Sequence, residues 1–219
     1  MNLFKFIPYK RFLLSHILLF NRKFIFNKQS YPYFLNPYNA SYANERAVEI
    51  SIFKKIIKKN QKKKILEIGN VLSHYLKKLP HHHTIVDKYE EAIGVINEDA
   101  LTYKSKKKFN LIIAVSTFEH IGFNEEDKDK NKISKVIKNL LTMLNKNGQL
   151  IFSVPIGHNP YLDKAIKDKK LPLTKSVFLK RNSKINTWIE TDKETALKQK
   201  YNSPYPNANA IMVGFIKKS

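Results

Sequence analysis

Five short apolar runs, spread over residues 65–154, constrain this chain more than any other feature. Residues 65–68, 84–86, 95–96, 111–115 and 149–154 are too short for helices. They mostly lack the polar alternation of a half-exposed sheet, so they read as strands buried on both faces. Between the fourth and fifth runs, apolar residues fall at 133, 136, 137, 140, 141 and 144, the stripe of a helix packed on one side. Residues 72–79, stopped by Pro80, read as a shorter helix, and residues 89–93 as a helical turn. Strand–helix alternation of this kind builds a parallel, doubly wound α/β sheet with helices on both faces. Residues 176–179 and 187–190 read as further strands, 192–199 as a helix and 211–216 as the last strand.

Residues 1–44 precede this pattern and read as an N-terminal extension, with the α/β domain at 45–219. Residues 4–26 mix bulky apolar and basic side chains. Their longest apolar patch, residues 12–20, contains Ser15 and His16 and falls short of the about 20 apolar residues that span a bilayer. Asn21-Arg22-Lys23 follows, where a signal peptide would place small residues. The segment is expected to pack on its own domain, with peripheral contact to an anionic membrane as the alternative. Residues 29–42, rich in Tyr, Pro and Asn, read as an irregular linker. A helix follows with Val48, Ile52, Phe53, Ile56 and Ile57 on one face and Ser41 or Asn44 at its start.

The net charge of +22 comes almost wholly from lysine, since arginine occurs only at positions 11, 22, 46 and 181. Phosphate and base readers draw on arginine's planar fork. The charge therefore reads as a solvated basic surface, with nucleic acid an unfavoured partner and a cytoplasmic location expected. The chain has no cysteine, which excludes disulfides, thiolate zinc sites and a cysteine nucleophile. His81-His82-His83 are adjacent in a loop and cannot all face one point, so no metal site is expected.

In a doubly wound sheet the ligand lies at the carboxyl ends of the strands, where strand order reverses. Glu67, Gly69 and Asn70 end the first strand and Asp87 ends the second; Glu98, Asp99 and Ala100 follow the third, and Ser116 to His120 the fourth. A carboxylate after the second strand suits the two hydroxyls of a ribose, and one after the third suits an adenine amino group. Gly69 lets the backbone approach a ligand closely. The set reads as a nucleoside site.

Residues 62–154 resemble the class I S-adenosylmethionine-dependent methyltransferases. Lys64-Ile65-Leu66-Glu67-Ile68-Gly69 looks like their first motif, Asp87 their ribose-binding acid, and Asp99-Ala100 their adenine-contacting pair. Residues 109–116 are similar to their fourth-strand motif, Phe118-Glu119-His120-Ile121 to a variant found in small-molecule and lipid methyltransferases, and residues 144–148 to the turn before their fifth strand. The resemblance implies a Rossmann-like, mostly parallel sheet with an antiparallel last strand. It implies S-adenosyl-L-methionine as cofactor, bound by Glu67, Gly69, Asn70, Asp87, Asp99, Ala100 and Ser116. Val71 and Ser73 stand where the family usually has further glycines. The same departure weighs more heavily against a nicotinamide dehydrogenase, whose pyrophosphate needs Gly-x-Gly-x-x-Gly.

Methyl transfer is mainly a matter of placing the acceptor atom and removing its proton. His120, with Glu119 beside it in sequence, is the candidate base, and His158 the alternative. Tyr161 and Trp188 line an acceptor pocket or belong to the core, Trp188 more in keeping with core. O-methylation of a small molecule or glycan is the favoured activity. RNA or protein methylation, and cofactor binding without catalysis, stay as alternatives.

Overall fold

Alternating side chains decide which face of the sheet each residue covers, and here both faces are apolar. The computed structural model describes residues 7–218, with side chains from residue 12 onward; residues 4–6 of the proposed membrane segment lie outside the described residues. In chain order the elements are α1 (Ile7–Leu19), β1 (Lys23–Phe26), β2 (Gln29–Pro32), α2 (Arg46–Lys59), β3 (Ile65–Ile68), β4 (His83–Asp87), β5 (Val95–Asn97) and β6 (Phe109–Val115). Then come α3 (Lys132–Thr142), β7 (Leu144–Pro155), α4 (Pro160–Lys167), β8 (Lys175–Arg181), β9 (Trp188–Thr191), α5 (Lys193–Leu197) and β10 (Ala210–Lys217).

Eight strands form one sheet in the order β5-β4-β3-β6-β7-β10-β8-β9. The first five are parallel. β10 runs antiparallel between β7 and β8, and β9 adds an antiparallel edge beside β8. This is the Rossmann-like, mostly parallel arrangement with an antiparallel last strand. Leu66, Ile112, Ala114, Phe152 and Met212 face α3 and α4 on one side, meeting Val136, Ile137, Leu140, Leu162 and Ile166. Ile65, Leu111, Ile113, Val115 and Val213 point to the other face, meeting Ile50, Ile52 and Phe53 of α2. The period of two in β6 therefore serves two cores at once.

The extension shares the second core. Leu19, Phe24, Phe26, Tyr31 and Tyr33 are buried in it. Residues read as a linker thus supply β2 of a hairpin, whose turn places Asn27 and Lys28 at φ of 51° and 60°. Two consecutive positive φ values match the right-handed twist of a hairpin; the sequence hides the turn because no glycine marks it. Asn44 Oδ1 accepts from the Arg46 N–H at 3.0 Å at the start of α2.

The structure corrects two helices. Residues 72–79 form only a 3₁₀ turn, Leu72–His74, and residues 89–93 form no helix. Between the Gly69 turn and Pro80 there is too little chain to offset helix nucleation. Residues 144–148, which resemble a turn before the fifth strand, lie within β7 as an irregularity: Phe109 faces Leu144, but Leu111 already faces Gln149. Among the described residues no helix is long and apolar enough to cross a membrane.

Candidate functional site

A cleft of about 440 Å³ opens at the carboxyl ends of β3, β4, β5 and β6, where strand order reverses. Ile68, Val86, Ala100 and Ile121 give it apolar walls, and Gly69, Asn70, Asp87, Asp99 and Ser116 line it as well. Asp87 ties its loops together. Its Oδ2 accepts from the Asn70 N–H at 2.9 Å, and its Oδ1 from the Tyr89 and Glu90 N–H groups, each at 2.8 Å. Asn70 Nδ2 donates to Glu90 Oε1 at 2.6 Å. Asp99 Oδ1 accepts from the Leu101 N–H, while Oδ2 meets Lys132 Nζ at 2.7 Å and Lys88 Nζ at 3.2 Å. Burial works against its charge, yet these donors outweigh burial and hold the carboxyl below its ordinary range.

Two sequence-predicted residues have other surroundings. Gly69 has φ 83°, and a Cβ there would lie 2.3 Å from Thr117 Oγ1; the space that glycine leaves is taken by Thr117. Glu67 is fully buried and does not line the cleft. Its Oε1 accepts from the Val71 and Leu72 N–H groups at 3.1 and 2.8 Å, and its Oε2 lies 2.7 Å from His83 Nε2. Glu67 thus shapes the turn after β3 from beneath. One histidine of the triplet is tucked inward onto it, while His81 and His82 stay exposed. Among the described residues no cluster of three or more His, Asp or Glu side chains suits a metal ion.

A second cavity, about 190 Å³, lies deeper and shares Ser116 and His120 with the cleft. His120 Nδ1 is 3.0 Å from Asn124 Oδ1, and its Nε2 is 3.6 Å from Glu119 Oε1. With Nδ1–H donating to Asn124, Nε2 is left with a free lone pair. The His120 and His158 ring centroids are 4.9 Å apart, and Tyr201 lies 5.0 Å beyond His158. Burial, with the neighbouring His120, holds the His158 imidazole below its ordinary range.

The far wall comes from α2. Glu49 is fully buried, bound by Arg46 Nη1 at 2.7 Å and by Ser116 Oγ at 2.6 Å. Those bonds fix Ser116, whose φ of 39° turns the chain sharply out of β6. Glu45 Oε2 accepts from the Ala208 N–H at 3.2 Å. Glu119 is 1% exposed, and its Oε2 has no hydrogen-bond partner among the described residues. Burial pushes the Glu119 carboxyl well up, and the nearby Glu49 and Glu45 add to this against the pull of Arg46. Sequence reasoning missed Glu45, Arg46 and Glu49. The available signal was the i, i+4 pair Glu45 and Glu49, which runs into the apolar stripe at 52, 53 and 56. Trp188 is core, its indole N–H bonded to Asn186 Oδ1 at 2.9 Å; Tyr161 is exposed.

No protein-family profile matches the sequence, and no curated protein is similar to it. Solved structures similar to this one are S-adenosylmethionine-dependent methyltransferases. One from Thermotoga maritima has 13% identity and a TM-score of 0.49, over 98% of this chain and 97% of its own. The 1,6-didemethyltoxoflavin-N1-methyltransferase of Burkholderia thailandensis has 10% identity and a TM-score of 0.48, over 89% and 97%. The N-methyltransferase NodS of Bradyrhizobium japonicum, in complex with S-adenosylhomocysteine, has 14% identity and a TM-score of 0.47, over 82% and 95%.

Proposed function

We propose that the protein transfers a methyl group from S-adenosylmethionine to a hydroxyl of a small molecule or glycan unit held in the deeper cavity. The observation that carries this reading is the charge of the cleft. Five carboxylates line it, Asp87, Glu90, Glu98, Asp99 and Glu125, with Lys88 among them and Lys132 paired to Asp99 and Glu125 from behind, in a chain of net charge +22. Such a cleft repels a phosphate-bearing cofactor and attracts a nucleoside that carries a positive charge. Its volume falls in the ordinary range for small-molecule sites. Asp87 would hold the ribose hydroxyls, and Asp99 with Ala100 the adenine edge.

When bound, the cofactor supplies a methyl group activated by attachment to a sulfonium. His120 and Ser116 border both spaces, so an acceptor in the cavity meets the cleft beside His120. An acceptor oxygen placed there would bond to that methyl carbon as the carbon–sulfur bond breaks, leaving the electron pair on sulfur. His120 Nε2 takes the hydroxyl proton. The small volume of the cavity, about 190 Å³, supports a small acceptor group over a folded polymer.

We also propose that α1 rests on an anionic membrane at its cytoplasmic side. Leu13, Leu14, Ile17 and Phe20 stand exposed along it, followed by exposed Arg22 and Lys23. Phe24 and Phe26, at the end of the same segment, are buried in the protein, as packing on its own domain requires, so lipid contact is proposed for the exposed face of α1 alone.

Calorimetry with S-adenosylhomocysteine tests the cofactor reading. Wild type should bind at micromolar affinity and Asp87→Ala more weakly by about 1.5–3 kcal/mol, the loss expected for charge-assisted hydrogen bonds. No binding by wild type would refute the reading, and equal binding by the two would remove Asp87 from the site. His120→Ala should retain this affinity and lose roughly 10²–10⁴-fold in turnover.

A further inference from the structure

The deeper cavity is acidic inside a basic protein. Glu45 and Glu119 line it with Arg46, and Glu49 lies close behind Glu119. Glu49 is accounted for by Arg46 and Ser116, and Glu45 has the Ala208 N–H. Glu119 differs. It lines the cavity, is almost wholly buried, and carries an oxygen with no partner. A buried acidic group left unpaired is costly, and a cation brought into contact with it offsets that cost. Nothing in the folding of the chain requires this, because the nearest stabilising charge, Arg46, is already engaged by Glu49.

We propose that the deeper cavity binds a small molecule with a protonated amine on the carbon next to its reacting hydroxyl, the ammonium docked on Glu119 and the hydroxyl on His120 Nε2. The carboxyl group that carries the unpartnered Oε2 has its other oxygen, Oε1, 3.6 Å from His120 Nε2, so groups on adjacent carbons can meet the two side chains together. The role of the hydroxyl rests on the methyl-transfer reading; the docking of the amine does not. The rings of His120, His158 and Tyr201, packed edge-on and tilted with centroids 4.9 and 5.0 Å apart, offer the body of the molecule an aromatic side of the cavity.

Proton linkage gives a signature. The groups facing Glu119 are Arg46 and Glu49 from α2 and Glu45 just before it, with His120, His158 and Tyr201 around the cavity. Burial pushes the Glu45 and Glu119 carboxyls up, and a docked ammonium acts in the opposite direction, drawing a proton off the pair. Binding should release it to the buffer.

The test titrates the full chain with trans-2-aminocyclohexanol and with trans-cyclohexane-1,2-diol, which differ only in amine against hydroxyl. Calorimetry is run in buffers of different ionisation heat, with and without S-adenosylhomocysteine. The amine should bind at least about tenfold tighter than the diol, with a buffer-dependent enthalpy that reports proton release. Glu119→Gln, which resembles the protonated side chain, should melt like wild type and bind the amine no better than the diol. Glu45→Gln, read in the same way, should weaken the amine less and serves if the first variant does not fold. Equal affinity of wild type for the two compounds overturns the proposal, as does an amine preference that survives Glu119→Gln. Amine preference without S-adenosylhomocysteine binding would remove the methyl-transfer reading and leave this one standing. S-adenosylhomocysteine binding without amine preference would do the reverse.

Discussion

Asp163, in the first turn of α4, braces the loop that carries His158. Its Oδ2 accepts from the Gly157 N–H at 2.9 Å, and Gly157 cannot be replaced freely, because a Cβ there would lie 2.7 Å from the Tyr201 backbone nitrogen. Burial pushes the Asp163 carboxyl up to about 6, against the pull of that hydrogen bond. A carboxyl whose folded pKa exceeds its unfolded one stabilises the fold while protonated. That contribution is complete below about pH 4 and lost as pH rises through about 6. Asp163→Asn keeps an acceptor for Gly157 without the charge. It should therefore melt higher than wild type at pH 7.5, by about 1 kcal/mol once partial exposure is discounted, and the gap should close by about pH 4. Thermal melts across that window check it, and a gap that widens toward acid would contradict the assignment. Not every residue of the site was equally legible. Asp87, Asp99 and Ser116 stand directly after strands, where sequence order foretells position. Glu45 and Glu49 lie on a helix about seventy residues before Ser116, and only packing brings them to it.

At the scale of elements, β3 to β7 follow the apolar runs because burial on both faces leaves little room for another pattern. The β1–β2 hairpin was hidden because its burial alternates over only four residues a strand, too few for the period to declare itself beside a turn without glycine. The hairpin also decides how α1 is to be tested. Deleting residues 1–28 would remove Phe24 and Phe26 from the core and unsettle the fold together with any lipid contact. Ile17→Glu with Phe20→Glu changes only exposed positions. Wild type should sediment with phosphatidylserine vesicles and be released by salt, each basic residue near the surface contributing about 1 kcal/mol. The double variant should stay in solution with an unchanged melting temperature. Wild type that ignores such vesicles at low salt ends the membrane proposal.

For the whole molecule, 40 basic side chains face 18 acidic ones, and several of the acids are gathered in the cleft and cavity. The outer surface therefore repels itself more strongly than the net charge alone suggests. Raising salt from about 0.01 M to about 0.1 M shortens the screening length from about 30 to about 10 Å, and the melting temperature should rise by a few degrees. A melting temperature that falls over this range would mean that attractive pairs, such as Lys132 with Asp99 and Glu125, outweigh the repulsion. The order of the sheet has a further consequence, for the ribosome. β10 joins β7 to β8, yet it is translated after both. While it is still being made, the nascent chain carries two open strand edges side by side, and either can accept a strand from a neighbouring chain on the same message. Slow translation between residues 181 and 210 would lengthen that exposure, so exchange of β10 between sister chains is the assembly error to which this topology is most prone.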